Sequence, residues 1–236
     1  MLQVKDLSVY AQFARGEDVI VKDVSFCVQS GRKLAVVGKS GAGKSMIASA
    51  ITGTLADNCF ALGDITLDGA DLTDKKVLKA CLGKELVYVM QGGAESLNPS
   101  LKIKTQIYEA FDRSIPKMSR DQKRAYAIFN LAKVHLDESV LEKYPFEISG
   151  GEAQRVVFAI ALCAKPKAVV LDECTRGLDE QNKRIFLDCL QQNFADAAIV
   201  AITHDSAVAS WCDEILDIRE GVVVSHTKSD DKAVTV

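Results

Sequence analysis

Hydrophobic and polar positions alternate in part near the start of the chain. LQVKDLSVY and VIVKDVSFCV carry β-branched residues around a turn-like RGE, which predicts short strands through the first 37 residues. The compact apolar run Leu34 to Val37 then ends at Gly38, the pattern of a strand buried on both faces in a parallel sheet. KSMIASAITGTLA follows, and Ile47, Ile51 and Leu55 recur four apart on one helix face. GDITLDGADL predicts a strand bounded by glycines, and KELVYVMQ a strand ending at Gln91. From Thr105 to Lys133 the pattern is helical, broken around Ile115–Ser119, where SRDQ (Ser119 to Gln122) has the form of a capping box. After Pro166, KAVVLDE returns to a buried strand. DEQNKRIFLDCLQQNF predicts a helix with Phe186, Leu190 and Phe194 in register, and AAIVAITHD another strand. Strand, helix, strand is the βαβ rhythm of a parallel sheet. From Ser225 onward the chain is polar, and a frayed tail is expected there.

Composition narrows the class. Apolar residues make up 48% of the 236 and charged residues 26%, the balance of an ordinary globular protein rather than a disordered or fibrous one. The formal charge of −3 gives no overall attraction to phosphate backbones or anionic lipid, so no nucleic-acid partner is expected. Seven cysteines without a C-x-x-C spacing argue against a zinc site or a disulfide framework. The longest apolar stretch, Val156 to Ala164, is too short to span a membrane, which needs about 20 residues. MLQVKDLSVY has no secretory pattern, which points to the cytosol, with any membrane association made through a partner.

Chemistry enters at the first strand-to-helix junction. Residues 38 to 45 read GKSGAGKS and match G-x-x-x-x-G-K-[ST] at every position. Glycines let backbone N–H groups turn inward around a phosphate, a helix N-terminus adds partial positive charge, and a lysine reaches the terminal phosphates. Gly38, Lys39, Ser40, Gly41, Ala42, Gly43, Lys44 and Ser45, with Met46 behind them, are the candidate nucleotide contacts, and Ser45 a candidate Mg²⁺ ligand. Asp172 ends the buried strand AVVLD, where it is either a ligand for the same Mg²⁺ or a cap for the next helix. Glu173 points elsewhere along the strand, and can polarise an attacking water.

At Ile148 the chain reads ISGGEAQR, which resembles the signature motif of ATP-binding cassette (ABC) ATPases, usually LSGGQ. Ser149 and the amides of Gly150 and Gly151 sit at the start of a helix expected over Glu152 to Ala164, and this resembles a second anion cradle. The same residues in isolation would be an ordinary helix-start turn. The resemblance covers residues 1 to 224 and implies an α/β fold: a P-loop NTPase with a RecA-like parallel core, an N-terminal antiparallel β-subdomain and an inserted α-helical subdomain. It implies core segments at 1–91 and 166–227, a helical subdomain at 92–165 and a tail at 228–236. It further implies that Tyr10 stacks on adenine, with Phe13 close enough to compete, that Gln91 reaches Mg²⁺ and water, that Leu178 and Asp179 form the D-loop, and that His204 contacts the γ-phosphate. ATP and Mg²⁺ are the implied ligands, and hydrolysis the implied activity. Cys174, in place of the usual Pro, and Arg176-Gly177, in place of Ser-Ala, depart from the pattern at positions tied to dimer contact.

Within the family, VMQGGAESLNPSLKI and YPFEISGGEAQR resemble dipeptide, oligopeptide and nickel importers, most closely the nickel-import subunit, although Gly92 and Gly93 depart from the usual pair. The resemblance implies uptake of nickel or a metal chelate, with a peptide substrate as the alternative. The implied partners are a second ABC ATPase subunit in a heterodimer, two membrane permease subunits and an extracytoplasmic solute-binding protein, with the chain on the cytoplasmic face of the membrane. A soluble non-transport cassette and a regulatory module that binds ATP without hydrolysis are the competing classes.

Overall fold

The computed structural model describes residues 1–14, 16–90, 92 and 94–228. Gln91, Gly93 and the tail expected after 228 lie outside the described residues. In chain order the elements are β1 (Leu2–Phe13), β2 (Gly16–Val28), β3 (Lys33–Val37), α1 (Lys44–Thr52), β4 (Cys59–Leu67), β5 (Ala70–Asp71), α2 (Lys75–Cys81), β6 (Leu86–Val89), α3 (Ile103–Ser114), α4 (Arg120–Lys133), α5 (Gly150–Ala161), β7 (Ala168–Asp172), α6 (Glu180–Asn193), β8 (Ala198–Ile202), α7 (Ser206–Trp211), β9 (Glu214–Arg219) and β10 (Val222–Lys228). Short 3₁₀ turns at Ala94–Ser96, Glu138–Glu142 and Pro145–Glu147 complete them. They form two compact units.

The first unit holds residues 1–82, 167–172 and 196 onward. Its antiparallel sheet runs β2-β1-β4-β5. The alternation in β1 is only partial because the register shifts between Val4 and Leu7, where Asp6 takes φ 50°. An extra residue in one strand moves the following side chains to the opposite face. Leu2 and Val4 before the shift and Leu7 and Val9 after it are therefore all buried.

The second sheet of this unit places β10, β9, β3, β8 and β7 as successive neighbours. β7 and β8 are buried at every position, as strands covered on both faces must be. They run parallel to each other and to β3, with Val36 opposite Ile202 and Asp172 opposite Ile202 in the two pairings. Helix α1 buries Ile47 and Ile51 but ends at Gly53, whose left-handed backbone caps it, so the predicted third member of its stripe, Leu55, lies outside the helix. The polar stretch from Ser225 is no frayed tail as far as Lys228. It belongs to the exposed strand β10, paired antiparallel with β9, and its polar side chains suit a sheet edge.

The second unit holds residues 83–166 and 173–195. Helices α3, α4 and α5 pack on one another around Ile103, Ile107, Phe111, Ala127 and Leu131. Asn130, buried between α4 and α5, donates from Nδ2 to the Ala159 carbonyl at 3.3 Å. The predicted capping box is present, with Ser119 Oγ accepting from Gln122 N and Gln122 Oε1 from Ser119 N. This division differs from the expected 92–165 subdomain, because α6 packs on α5: the Phe158 ring lies 5.0 Å from Phe186 and 5.7 Å from Phe194. Phe158 is only 1% exposed, so Phe158→Ala is expected to cost about 3–5 kcal/mol of stability, read as a lower denaturant midpoint. A midpoint within error of wild type would contradict this packing.

Candidate functional site

Three parallel strands deliver their carboxyl ends to one edge of the sheet. β3 runs into the glycine-rich loop, β7 ends at Asp172, and β8 passes through Thr203 to His204. Open parallel sheets bind their ligands at this edge. Gly38, with φ 152°, passes so close to β9 that an added Cβ would stand 2.2 Å from the Ile218 carbonyl. Gly43, with φ 93°, is the N-cap of α1, and no side chain among the described residues caps that end. Its backbone conformation turns the chain into the helix so that first-turn N–H groups face the loop, an arrangement suited to an anion.

Lys44 is buried, and its ammonium donates to the carbonyls of Gly38 at 2.9 Å and Lys39 at 3.0 Å. These two contacts compensate its burial and use two of its three donors, leaving the third for a ligand in the loop. Lys39, Ser40 and Gly41 are exposed, Ala42 is packed inward and Met46 is half-buried. Ser45 Oγ donates to Asp172 Oδ1 at 3.1 Å, so the two sequence-predicted metal ligands meet although 127 residues separate them. Two hard oxygen donors side by side, one a buried carboxylate, fit Mg²⁺. In the same unit, His204 is exposed directly after β8, and the following Asp205 caps α7. Tyr10 sits in β1 opposite Val19 and Phe60, and its ring stacks on Phe60 at 5.1 Å. Phe13 is exposed at the end of the same strand.

The second unit carries the other predicted residues. Ser149 is the N-cap of α5, which begins at Gly150, two residues before the expected start. Ser149 Oγ accepts from Glu152 N at 3.2 Å, and Glu152 Oε2 from Ser149 N at 2.8 Å. This capping box was not anticipated, although S-x-x-E is visible in the sequence. It commits the Glu152 carboxylate to its own helix, and the backbone bond to Ser149 holds its pKa below the ordinary range. A Cβ on Gly150 or Gly151 would meet nothing within 4 Å, so the helix start is open to an approaching group.

Glu173 has φ 48°, a left-handed conformation that costs a non-glycine residue roughly 1–2 kcal/mol. Strain of this kind persists where the surrounding structure fixes it. Here Arg176 N donates to the Glu173 carbonyl at 3.0 Å, Leu178 N to that of Thr175 at 3.2 Å, and Cys174 and Thr175 are buried. Asp179 caps α6, and its bonds to Asn182 lower its pKa. Arg176 and Gly177 are exposed, with Gly177 at φ 79°. Sequence reasoning gave no role to Asn182 or to Arg155, although Arg155 closes the ISGGEAQR stretch, because their pairing joins two different helices.

The comparisons bear on the whole chain. A family model described as ABC transporter matches residues 21–176. The oligopeptide transport ATP-binding protein OppD of Bacillus subtilis is 34% identical over 98% of this chain and 67% of its own length. The glutathione import ATP-binding protein GsiA of Pectobacterium atrosepticum is 32% identical over 100% of this chain and 39% of its own. The metal-staphylopine import system ATP-binding protein CntD of Staphylococcus aureus is 28% identical over 96% and 85%. Among solved structures, a dimeric bacterial ABC transporter cassette, 23% identical, superposes with a TM-score of 0.86 over 97% of this chain and 98% of that one.

Two predictions follow the geometry. Lys44→Ala removes a charge-assisted contact worth about 1.5–3 kcal/mol, so titration calorimetry should show ATP binding weakened roughly 10- to 100-fold; unchanged affinity would contradict the cradle. The lowered pKa of Glu152 means that its folded state favours the carboxylate. Its stabilising contribution is thus present above the unfolded pKa and lost as pH falls through the folded one. Glu152→Gln keeps the box without the charge, so melting curves should show wild type losing stability relative to this variant on acidification below about pH 4.5.

Proposed function

Because the chain belongs to the ABC transporter family and is an ATPase of it, we propose that it is the ATP-binding subunit of an importer for oligopeptides or short peptide-derived solutes. The observation that carries this reading is the 34% identity to an oligopeptide transport protein along 98% of the chain, supported by the glutathione importer at 32%. The nickel preference drawn from VMQGGAESLNPSLKI and YPFEISGGEAQR gives way to its alternative, since the metal-staphylopine protein that favours a metal chelate stands lower, at 28%. No helix among the described residues is long and apolar enough to cross a membrane. From the family resemblance, the proposed place of the chain is the cytoplasmic face, held there by two permease subunits, with a second ATPase subunit of a different sequence and a solute-binding protein completing the system.

In this mechanism the loop 38–46 holds the triphosphate by its backbone amides, and the third Lys44 donor meets the terminal phosphates. Ser45 and Asp172 would hold Mg²⁺, exchanging their mutual hydrogen bond for shared ligation. Bound there, Mg²⁺ neutralises charge on the β- and γ-phosphates. Glu173, held at φ 48° directly after β7, polarises the attacking water. His204 and Gln91 contact the γ-phosphate and water. Tyr10 stacks on adenine. Ser149, Gly150 and Gly151 receive the γ-phosphate of ATP bound to the second ATPase subunit, so ATP closes the pair and hydrolysis releases it.

Glu173→Gln is expected to lower ATP turnover by about 10²–10⁴ while nucleotide binding stays intact; a wild type as inactive as this variant, measured with its permease partners, would refute the enzyme. In proteoliposomes holding the assembled permease, ATPase activity should rise with a peptide-loaded solute-binding protein. Stimulation by a nickel chelate and not by peptide would overturn the substrate class.

A further inference from the structure

Arg155 lies one turn beyond Glu152 on α5, and its guanidinium Nη1 donates to Asn182 Oδ1 in the first turn of α6. Asn182 in turn closes on the cap of its own helix. Its backbone N–H donates to Asp179 Oδ1 at 2.8 Å, and its Nδ2 donates to Asp179 Oδ2 at 2.7 Å. Both ends of the Asn182 amide are thereby engaged, and the arrangement fixes its orientation. A flipped amide would set NH₂ against the guanidinium and oxygen against the carboxylate. The pKa values of Glu152 and Asp179 are lowered first by hydrogen bonds, from Ser149 and from Asn182 respectively, and to a smaller degree by the charge of Arg155. Its Nε–H is buried with no hydrogen-bond partner among the described residues, as is Nε2 of the adjacent Gln154. The guanidinium thus holds Asn182 through Nη1 while its buried Nε–H finds no partner among the described residues.

We propose that Arg155 is a positioning residue: through Asn182 it joins the Ser149-Gly150-Gly151 segment to the Asp179 turn, so that the two helix starts hold their geometry as one piece. The inference rests on the reading of both segments as parts of the ATPase cycle, and adds a residue outside either phosphate cradle. The body of α5 is held by its buried face, through Ala153, Val156 and Phe158, but its first turn is exposed at Ser149 and Gly150 and closed locally by the Ser149–Glu152 capping box. A planar fork reaching a neighbouring helix supplies a constraint from outside that turn, where a lysine would give only a point charge.

The full-length chain is compared as wild type, R155A, N182A and the double variant. Hydrogen exchange across 148–155 and 178–183 reads the coupling without turnover. Each single substitution is expected to speed exchange in both segments about fivefold, and the double variant no further than the larger single. ATP hydrolysis reads the consequence: kcat should fall about tenfold in each variant while KM stays within about twofold, since the Lys44 cradle is untouched. Asn182 is half-buried, and N182A carries the test alone if R155A does not fold. The proposal is overturned if N182A loosens only the start of α6 and leaves 148–155 as in wild type. Multiplying effects in the double variant would also overturn it. A wild-type chain without ATPase activity would instead count against the proposed function, with the exchange result still deciding the coupling.

Discussion

The hydrogen bond from Ser45 to Asp172 is the contact on which the proposed mechanism turns. It requires β7 and α1 to be brought together from opposite halves of the chain, and the parallel register of β3, β8 and β7 does that. With Asp172 level with Ile202, and Ile202 level with Val36, the carboxylate arrives at the edge where the loop after β3 opens. Burial makes the placement costly unless the carboxylate has partners, and a serine hydroxyl that can also ligate a cation is a suitable one. A one-residue slip of β7 would turn Asp172 to the other face and bring Leu171 or Glu173 into its place.

The same logic of helix starts appears in both units with different solutions. α1 begins at a glycine in a left-handed conformation, without a capping side chain among the described residues, so its first-turn donors suit the proposed phosphate contact. α5 begins at a serine capped reciprocally by Glu152, which places a carboxylate close to a proposed phosphate cradle. That carboxylate is turned back onto Ser149 N, and this bond, its largest influence, favours the ionised form. In the proposed mechanism the first end meets the phosphates held by its own loop, and the second meets a phosphate held by the other ATPase subunit.

What was legible in the sequence was mostly what is contiguous. The loop 38–45 carries its chemistry within eight residues, and the strand ending at Asp172 is apolar throughout, so both could be read directly. The capping box at Ser119 was read because its partners are three residues apart; the equivalent at Ser149 was masked by the interest of the glycines beside it. The shift at Asp6 blurred the alternation of β1, and β10 looked like a tail because an edge strand keeps polar side chains. Arg155 and Asn182 are 27 residues apart on different helices, a separation that no local pattern encodes. The transported solute was not legible because the residues that bind ATP do not contact it in the proposed assembly. Kinship with peptide importers therefore displaced the nickel preference.

A structure of the full chain with Mg²⁺ and a non-hydrolysable ATP analogue tests the central claim most directly. The account predicts phosphates wrapped by the amides of 41–46, Lys44 turned to the terminal phosphates, and the cation against Ser45 with Asp172 beside it. An analogue bound away from the carboxyl edge of β3, or a Ser45–Asp172 hydrogen bond intact with the cation elsewhere, would contradict it.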